Sequence, residues 1–167
     1  RERKDRITES GLLTCRGFHQ QMLGNMEQAG ADYEQALALA RRLGDRVQEA
    51  DILSYRGDMK AYQGELAEGL MELIEAHKRF EELGQDGKAR EVLSQIANAY
   101  RRMGLYVRAE GYFQELERDY STLGDQERLV DIRSQQGLLY AEMGELNRAL
   151  PLMAQAEQLY RSQHKEG

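Results

Sequence analysis

The sequence predicts an all-α fold in which helices of nearly equal length pair into antiparallel hairpins, and the hairpins stack as a solenoid. Three observations predict it: regularly spaced glycines, a likeness between alternate segments, and columns of small and large residues with the same period. Glycine readily adopts the left-handed backbone that follows a helix. Each regularly spaced glycine is therefore predicted to end a helix, and a fixed period is typical of a solenoid. These glycines lie twenty residues apart and are Gly24, Gly44, Gly64, Gly84, Gly104, Gly124 and Gly144.

The complete repeat spans forty residues, because alternate segments resemble each other more than neighbouring segments do. Each repeat then holds two helices, which we call helix A and helix B. The A segments open with Asp45, Asp86 and Asp125, and Asp5 opens an earlier copy. A carboxylate there can cap the helix and interact with the positive end of its dipole. The predicted repeats are 5–44, 45–84, 85–124 and 125–164, in one domain covering 1–167 that we expect to belong to a longer protein.

Small and large residues recur at fixed places in the repeat. Small residues in the middle of helix A and near the start of helix B allow two helix backbones to approach closely. A bulky column then fills the space beside them. The small column of helix A is Gly17, Gly57, Ala97 and Gly137, that of helix B is Ala29, Gly69, Ala109 and Ala149, and the bulky column is Tyr33, Leu73, Phe113 and Met153.

The order of these residues resembles the tetratricopeptide repeat across nearly the whole chain. Residues 90–116 show it best, with Ile96, Ala97, Tyr100, Gly104, Ala109 and Phe113. The resemblance implies a right-handed α-solenoid of four helix-turn-helix units, with eight antiparallel helices. The usual unit has about thirty-four residues; the longer unit here resembles the variety found in bacterial signalling and regulatory proteins.

The second repeat departs from the pattern. Arg56, Lys60 and Gly69 stand where leucine, tyrosine and alanine are typical of the family. Two interpretations remain open at this point. Either this repeat packs less well than the others, or its polar groups serve another purpose.

Composition narrows the classes of function. A net charge of −6 and a pI of about 5.2 argue against nucleic-acid binding, which needs clustered Lys and Arg. The single cysteine, Cys15, excludes an internal disulfide and a Cys-rich zinc site. No apolar run is long enough to span a membrane. We expect a soluble, cytoplasmic protein, with a periplasmic location as the open alternative.

Catalysis finds little support in the sequence. The three histidines lie in different segments, and His77 with Glu81 supplies only two ligands, which do not close a metal site. A column of Thr14, Ser54, Ser94 and Ser134 has no histidine recurring beside it, as nucleophilic catalysis would need. We therefore predict a non-catalytic chain with no cofactor and no metal.

The resemblance implies that the A helices line a concave groove that binds a peptide or a partner protein. Asn98 matches the asparagine that bonds a ligand backbone in many such arrays, and Arg101 and Arg102 could pair with an acidic group on the ligand. The other positions that match the family's groove, or lie beside it, are Gly11, Thr14, Phe18, Gln21, Asp51, Ser54, Ala61, Glu91, Asp131, Gln135, Ala141 and Glu142. The alternative is that these side chains only solvate the surface. The predicted contact residues are Tyr55, Asp58, Tyr62, Ser94, Gln95, Asn98, Arg101, Arg102, Ser134 and Leu138.

Two functions follow from these features. The first is a protein-interaction scaffold. The second is a sensory or oligomerising region of a larger bacterial regulator, a transcription activator or a diguanylate cyclase, whose effector domain lies outside this chain. The second rests partly on an apolar last helix, which we expect another helix or a second copy of the chain to cover. Its apolar residues are Leu146, Leu150, Met153, Leu159 and Tyr160.

Overall fold

The computed structural model describes the backbone of residues 2–163 and the side chains of residues 6–158, 160 and 161. Within that range the chain is helical, with short turns and no strand, which confirms the all-α prediction. The side chains of Asp5 and Leu159 and the whole of His164 lie outside the described residues. The helices are α1 (Glu2–Met22), α2 (Met26–Leu43), α3 (Arg46–Gln63), α4 (Leu66–Glu82), α5 (Asp86–Arg102), α6 (Tyr106–Leu123), α7 (Gln126–Glu142) and α8 (Leu146–Gln163).

The turns between these helices are built alike. All seven regularly spaced glycines have positive φ, from 64° at Gly84 to 93° at Gly64. The backbone N–H of the next residue then donates a hydrogen bond to the carbonyl five residues earlier. Asp45 donates to Ala40 at 3.0 Å, and Asp125 donates to Tyr120 at 3.0 Å. This bond satisfies a carbonyl that the end of the helix would otherwise leave open. The predicted helix ends are confirmed.

Two of the predicted aspartate caps form. The side chain of Asp45 accepts a hydrogen bond from the N–H of Gln48 at 3.0 Å, and Asp125 accepts one from Arg128 at 3.0 Å. Asp86 is instead the first residue of α5, because Gln85 occupies the position between the turn glycine and the helix that Asp45 and Asp125 occupy in their repeats, so the prediction of a cap there is wrong. At that position its carboxylate still lies at the positive end of the helix dipole.

The helices form two compact units, one up to Gln95 and one from Ile96 onward. In the first unit, α1 packs on α2 and α3 on α4 as hairpins, and α2 packs on α3. A Cβ added at Gly17 would lie 2.8 Å from the ring of Tyr33, and one at Gly57 would lie 3.0 Å from Leu73. The predicted packing of small against bulky residues is thus confirmed in both hairpins.

In the second unit, α7 packs on α8 as a hairpin and α6 packs on α7. A Cβ added at Gly137 would lie 2.9 Å from Cγ of Met153. The core of this unit is apolar, since Phe113, Leu116 and Leu139 are each 0% exposed. The second unit therefore repeats the packing of the first.

The unusual polar residues of the second repeat have partners within their own hairpin. Arg56 Nε donates to Glu72 at 2.8 Å, and Lys60 Nζ lies 3.0 Å from Glu72 and 3.3 Å from Glu68. These ion pairs connect α3 to α4. Arg56 and Lys60 therefore hold the hairpin together.

Candidate functional site

An open groove of about 340 Å³ runs across the A helices of the first unit. Residues of α1, α3 and the beginning of α5 form its walls. Many of them lie at the positions that the sequence assigned to the groove. The lining residues are Gly11, Thr14, Cys15, Phe18, Gln48, Asp51, Tyr55, Lys88 and Glu91.

Aromatic rings form the apolar part of this groove. Phe18 of α1 and Tyr55 of α3 lie with ring centroids 5.5 Å apart and planes tilted by 53°. Tyr55 also stacks on the buried ring of Tyr33, with centroids 6.3 Å apart. Phe18 remains 45% exposed. The ring of Phe18 is therefore held from one side by Tyr55 and open to a ligand on the other.

Beside the rings lies an ion pair between α3 and α5. Lys88 Nζ donates to both carboxylate oxygens of Asp51, at 2.6 and 2.7 Å. Burial raises the pKa of Asp51, and the hydrogen bond from Lys88 offsets only part of that rise. The Lys88 side chain is still 40% exposed. Its ammonium group can therefore reach a ligand without leaving Asp51, because it has three hydrogens to donate.

A neutral polar contact joins α3 to α1. The amide Nε2 of Gln48 donates to Thr14 Oγ1 at 2.9 Å, and that hydroxyl donates to the carbonyl of Ser10 at 2.9 Å. The two bonds fix the amide of Gln48 at the edge of the groove. The floor is thus apolar in one part and polar in the other.

Sequence reasoning missed Cys15, Gln48 and Lys88. The family pattern assigns the groove to fixed positions of helix A, and these residues stand outside them. One signal was available for two of the three. Gln48 and Lys88 each precede a predicted groove residue, Asp51 and Glu91, by three positions, and residues three apart are neighbours on a helix surface.

Four other predicted residues of the first unit lie elsewhere on its surface. Tyr62 is 66% exposed near the end of α3. Asp58 is half-buried. Burial is the main cause that raises the pKa of Tyr33, and the negative charge of Asp58 raises it further. Ser94 and Gln95 are half-buried on α5. Of these, none lines the groove described above.

In the second unit, the predicted residues Asn98 and Arg101 join α5 to α7. The side-chain amide of Asn98 donates to Gln135 Oε1. Arg101 Nε donates to Asn98 Oδ1 at 3.3 Å, and its guanidinium pairs with Glu142. These groups already have partners, so a ligand that bonds to them must share or replace those bonds.

The remaining predicted residues of the second unit differ in exposure. Leu138 is 42% exposed and Arg102 is exposed. Ser134 Oγ donates to the carbonyl of Val130 at 2.9 Å, a bond within its own helix. Leu138 and Arg102 are therefore the more accessible side chains here.

Two further properties concern the part of the chain that the structure describes. Within it, no three or more His, Cys, Asp and Glu side chains are grouped so that they could hold a metal ion. Helices with the length and apolar character of a membrane span are also absent from this part.

Comparisons with known proteins agree with this architecture. Residues 92–126 match the family model of the tetratricopeptide repeat. No curated protein matches the chain. The crystal structure of BtubC (BKLC) from P. vanneervenii is similar over 96% of this chain and 72% of that one, with 19% identity and a TM-score of 0.73. A structure of MamA (AMB-1) is similar over 92% of this chain and 93% of that one, with 15% identity and a TM-score of 0.51.

At these sequence identities the two solved structures support the fold alone, and the family model supports the assignment of the repeat. Tetratricopeptide repeats in general mediate contacts between proteins. The chain therefore carries a tetratricopeptide repeat at residues 92–126, within an all-helical fold of the same helix-turn-helix kind.

Proposed function

We propose that this chain is a non-catalytic protein-interaction scaffold whose A helices bind a peptide or a partner protein. The observation that carries the proposal is the groove of the first unit, where the open ring of Phe18 lies beside the Lys88–Asp51 ion pair. An apolar surface next to a few fixed polar groups is the usual composition of a binding site.

The two parts of the groove suit different parts of a ligand. An apolar or aromatic ligand side chain would pack on Phe18, where it loses contact with water and gains the ring contact. Backbone groups of the ligand would bond to the amide of Gln48 and the ammonium of Lys88. Because contacts with Tyr55, Thr14 and Asp51 already hold Phe18, Gln48 and Lys88 in place, respectively, little side-chain entropy would be lost on binding.

We propose contacts on the A-helix surface of the second unit as well, and treat the surface of each unit as a separate binding surface. In the second unit, Arg102 and Leu138 offer a charge and an apolar side chain, while Asn98 and Arg101 would exchange existing bonds for bonds to the ligand. The full set of proposed contact residues is Tyr55, Asp58, Tyr62, Ser94, Gln95, Asn98, Arg101, Arg102, Ser134 and Leu138, with Phe18, Gln48 and Lys88 added.

A peptide selection tests this proposal. Peptides would be selected from a random displayed library on the purified chain and then measured by fluorescence polarisation. We expect Phe18→Ala to weaken binding by about tenfold or more, as loss of a central aromatic contact does. Val107→Ala is the matched control, because Val107 is 80% exposed and lies outside the groove. Equal affinity of the Phe18 variant and the wild type would contradict the role of this groove.

The second unit needs its own variant. Reversing the charge of Arg101 and Arg102 together is expected to weaken a selected peptide that carries an acidic group. Arg118→Glu serves as the control, since Arg118 is an exposed arginine on α6, a B helix. Unchanged affinity would remove Arg101 and Arg102 from the proposed contacts.

A second candidate function is that of a sensory or oligomerising region in a larger bacterial regulator. The exposed apolar residues of α8 favour it: Leu146 is 57%, Leu150 63% and Tyr160 61% exposed. An effector domain found in the same gene, with activity that changes when Leu150 is replaced by Glu, would support this candidate. Activity independent of Leu150 would argue against it.

A further inference from the structure

The two ends of the repeat series expose residues whose counterparts in the interior are buried. On the A helices, Leu12 of α1 is 65% exposed, whereas Ile52 and Ile132, one and three repeats later, are 0% and 3% exposed. On the B helices, Tyr160 of α8 is 61% exposed, whereas Tyr120, one repeat earlier, is 6% exposed. The interior counterparts are buried by the packing of one hairpin on the next, in which α2 packs on α3 and α6 packs on α7.

The packing of a B helix on the following A helix also includes ion pairs. Arg41 of α2 lies 4.0 Å from Glu49 of α3. In the second unit, Glu117 of α6 accepts hydrogen bonds from Arg133 at 3.0 Å and from Gln136 at 3.1 Å, both in α7. These contacts define an antiparallel register between the two helices.

The forty-residue repeat identifies the residues of α8 and α1 that are equivalent to those in these interior contacts. Arg161 of α8 takes the place of Arg41, and Glu9 of α1 takes the place of Glu49. Glu157 of α8 takes the place of Glu117. Of the two partners of Glu117, Gln136 corresponds to Arg16 of α1, which already donates to Asp32 of its own hairpin, and Arg133 corresponds to Leu13. The pairs Arg161–Glu9 and Glu157–Arg16 both combine opposite charges, so α8 is complementary to α1 in the register that the interior already uses.

The surfaces between these charges are also complementary. On α1 a shallow depression is lined by Thr8, Glu9, Leu12, Leu13 and Arg16, so its apolar middle lies between an acidic and a basic residue. On α8, Leu150 occupies the place of Glu110, which accepts a hydrogen bond from Tyr140 of α7. Leu150 and Tyr160 are thus directed to the side on which the next A helix packs.

We propose that α8 of one chain packs antiparallel on α1 of a second copy, in the register in which α6 packs on α7. The contact joins two different surfaces, so each added copy leaves one α1 face and one α8 face open. Heterologous contacts of this kind extend into open assemblies unless they close into a ring. The contact uses other residues than the groove and needs no groove ligand.

Two end-blocked variants of the full chain test the contact by sedimentation velocity, from low micromolar to several hundred micromolar. Leu12→Glu blocks only the α1 face, and Leu150→Glu blocks only the α8 face. Both residues are more than half exposed, so both variants should keep the helix content of the wild type. The wild type is expected to form progressively larger species, whereas each variant alone stays monomeric. Mixed in equal amounts, the variants should form a dimer and nothing larger.

Each other outcome overturns the proposal. A wild type that stays monomeric at every concentration shows that the faces do not bind each other. Dimers of Leu12→Glu alone indicate that α8 pairs with α8. A mixture that remains monomeric excludes the α8–α1 contact. Val107→Glu is the control for an added charge, because Val107 lies at neither end, and it should associate as the wild type does.

A charge exchange tests the register itself. Glu9→Arg alone should weaken association several-fold by placing two basic residues together, and adding Arg161→Glu in the same chain should restore it. Failure of the second change to restore association would show that Glu9 and Arg161 do not face each other.

Discussion

Gly57 of α3 and Gly69 of α4 lie against each other backbone to backbone. A Cβ added at Gly69 would lie 2.5 Å from the carbonyl oxygen of Gly57, and one added at Gly57 would lie 2.9 Å from that of Gly69. In the first hairpin a Cβ added at Gly17 would lie 3.3 Å from the carbonyl oxygen of Ala29, and in the fourth hairpin one added at Gly137 would lie 3.4 Å from that of Ala149. The helices of the second hairpin therefore approach more closely, and the glycine at position 69 permits it.

Gly69→Ala is accordingly expected to destabilise the protein. The added methyl group has no free space, so α3 and α4 must separate, at a cost of about 1–3 kcal/mol in the free energy of unfolding. Urea unfolding followed by circular dichroism measures it. Gly111→Ala is the control: a Cβ there meets nothing within 4 Å, and the change should stabilise the helix by about 0.5–1 kcal/mol. Equal effects of the two substitutions would contradict the close approach.

Glu72→Gln is expected to destabilise the second hairpin. Glu72 is the shared partner of Arg56 and Lys60, and the side chains of Glu72 and Arg56 are only 15% and 18% exposed. Without the negative charge of Glu72, the positive charge of the Arg56 guanidinium is poorly balanced. This should lower the free energy of unfolding by about 1–3 kcal/mol. Glu82→Gln removes an exposed pair with Arg46 and should change it by less than about 0.5 kcal/mol. Similar losses in both variants would show that the pairs at Glu72 have no special role.

Asp45→Ala should cost about 1 kcal/mol of unfolding free energy, because the N–H of Gln48 loses its acceptor at the start of α3. Glu65 precedes α4 without a capping bond from its side chain. Glu65→Ala is therefore expected to be nearly neutral. Thermal unfolding of the two variants side by side measures the contrast, and an Asp45 variant as stable as the wild type would show that the cap contributes nothing.

The ion pair between Glu110 and Arg148 should make the second unit sensitive to acid. Burial raises the pKa of Glu110, but hydrogen bonds from Arg148 and Tyr140 outweigh that effect, and the net pKa is lowered. A lowered pKa means that the folded state favours the charged form. Its contribution to stability is present above the pKa of the unfolded chain and is lost as the pH falls through the lower folded value.

Urea unfolding from pH 7 down to about pH 3 should therefore show stability decreasing below about pH 5. Glu110→Gln should be less stable than the wild type at pH 7, and the difference should shrink toward the acid end. Glu157→Gln is the control, since Glu157 is 62% exposed and pairs with its helical neighbour Arg161. A constant difference between the Glu110 variant and the wild type over this range would contradict the lowered pKa.

Much of the architecture could be predicted from local sequence, whereas the candidate site could be predicted only in part. Phe18, Asp51 and Tyr55 were expected in the groove and line it. Lys88 was not expected, because its side chain reaches Asp51 from a helix thirty-seven residues further along. Asn98 was predicted to bond the backbone of a ligand, which stays a prediction, and its amide is bonded to Gln135 in the structure.

The sequence by itself determined where each helix ends, because a glycine with positive φ and the hydrogen bond that follows it depend only on a few neighbouring residues. It also determined which residues of a hairpin are small and which are large. Only the tertiary structure decided which polar side chains meet across hairpins, such as Lys88 with Asp51 or Arg101 with Glu142. The reason is physical: such pairs depend on the rotation and spacing of one helix against another, which the packing of many side chains sets together and no short segment encodes.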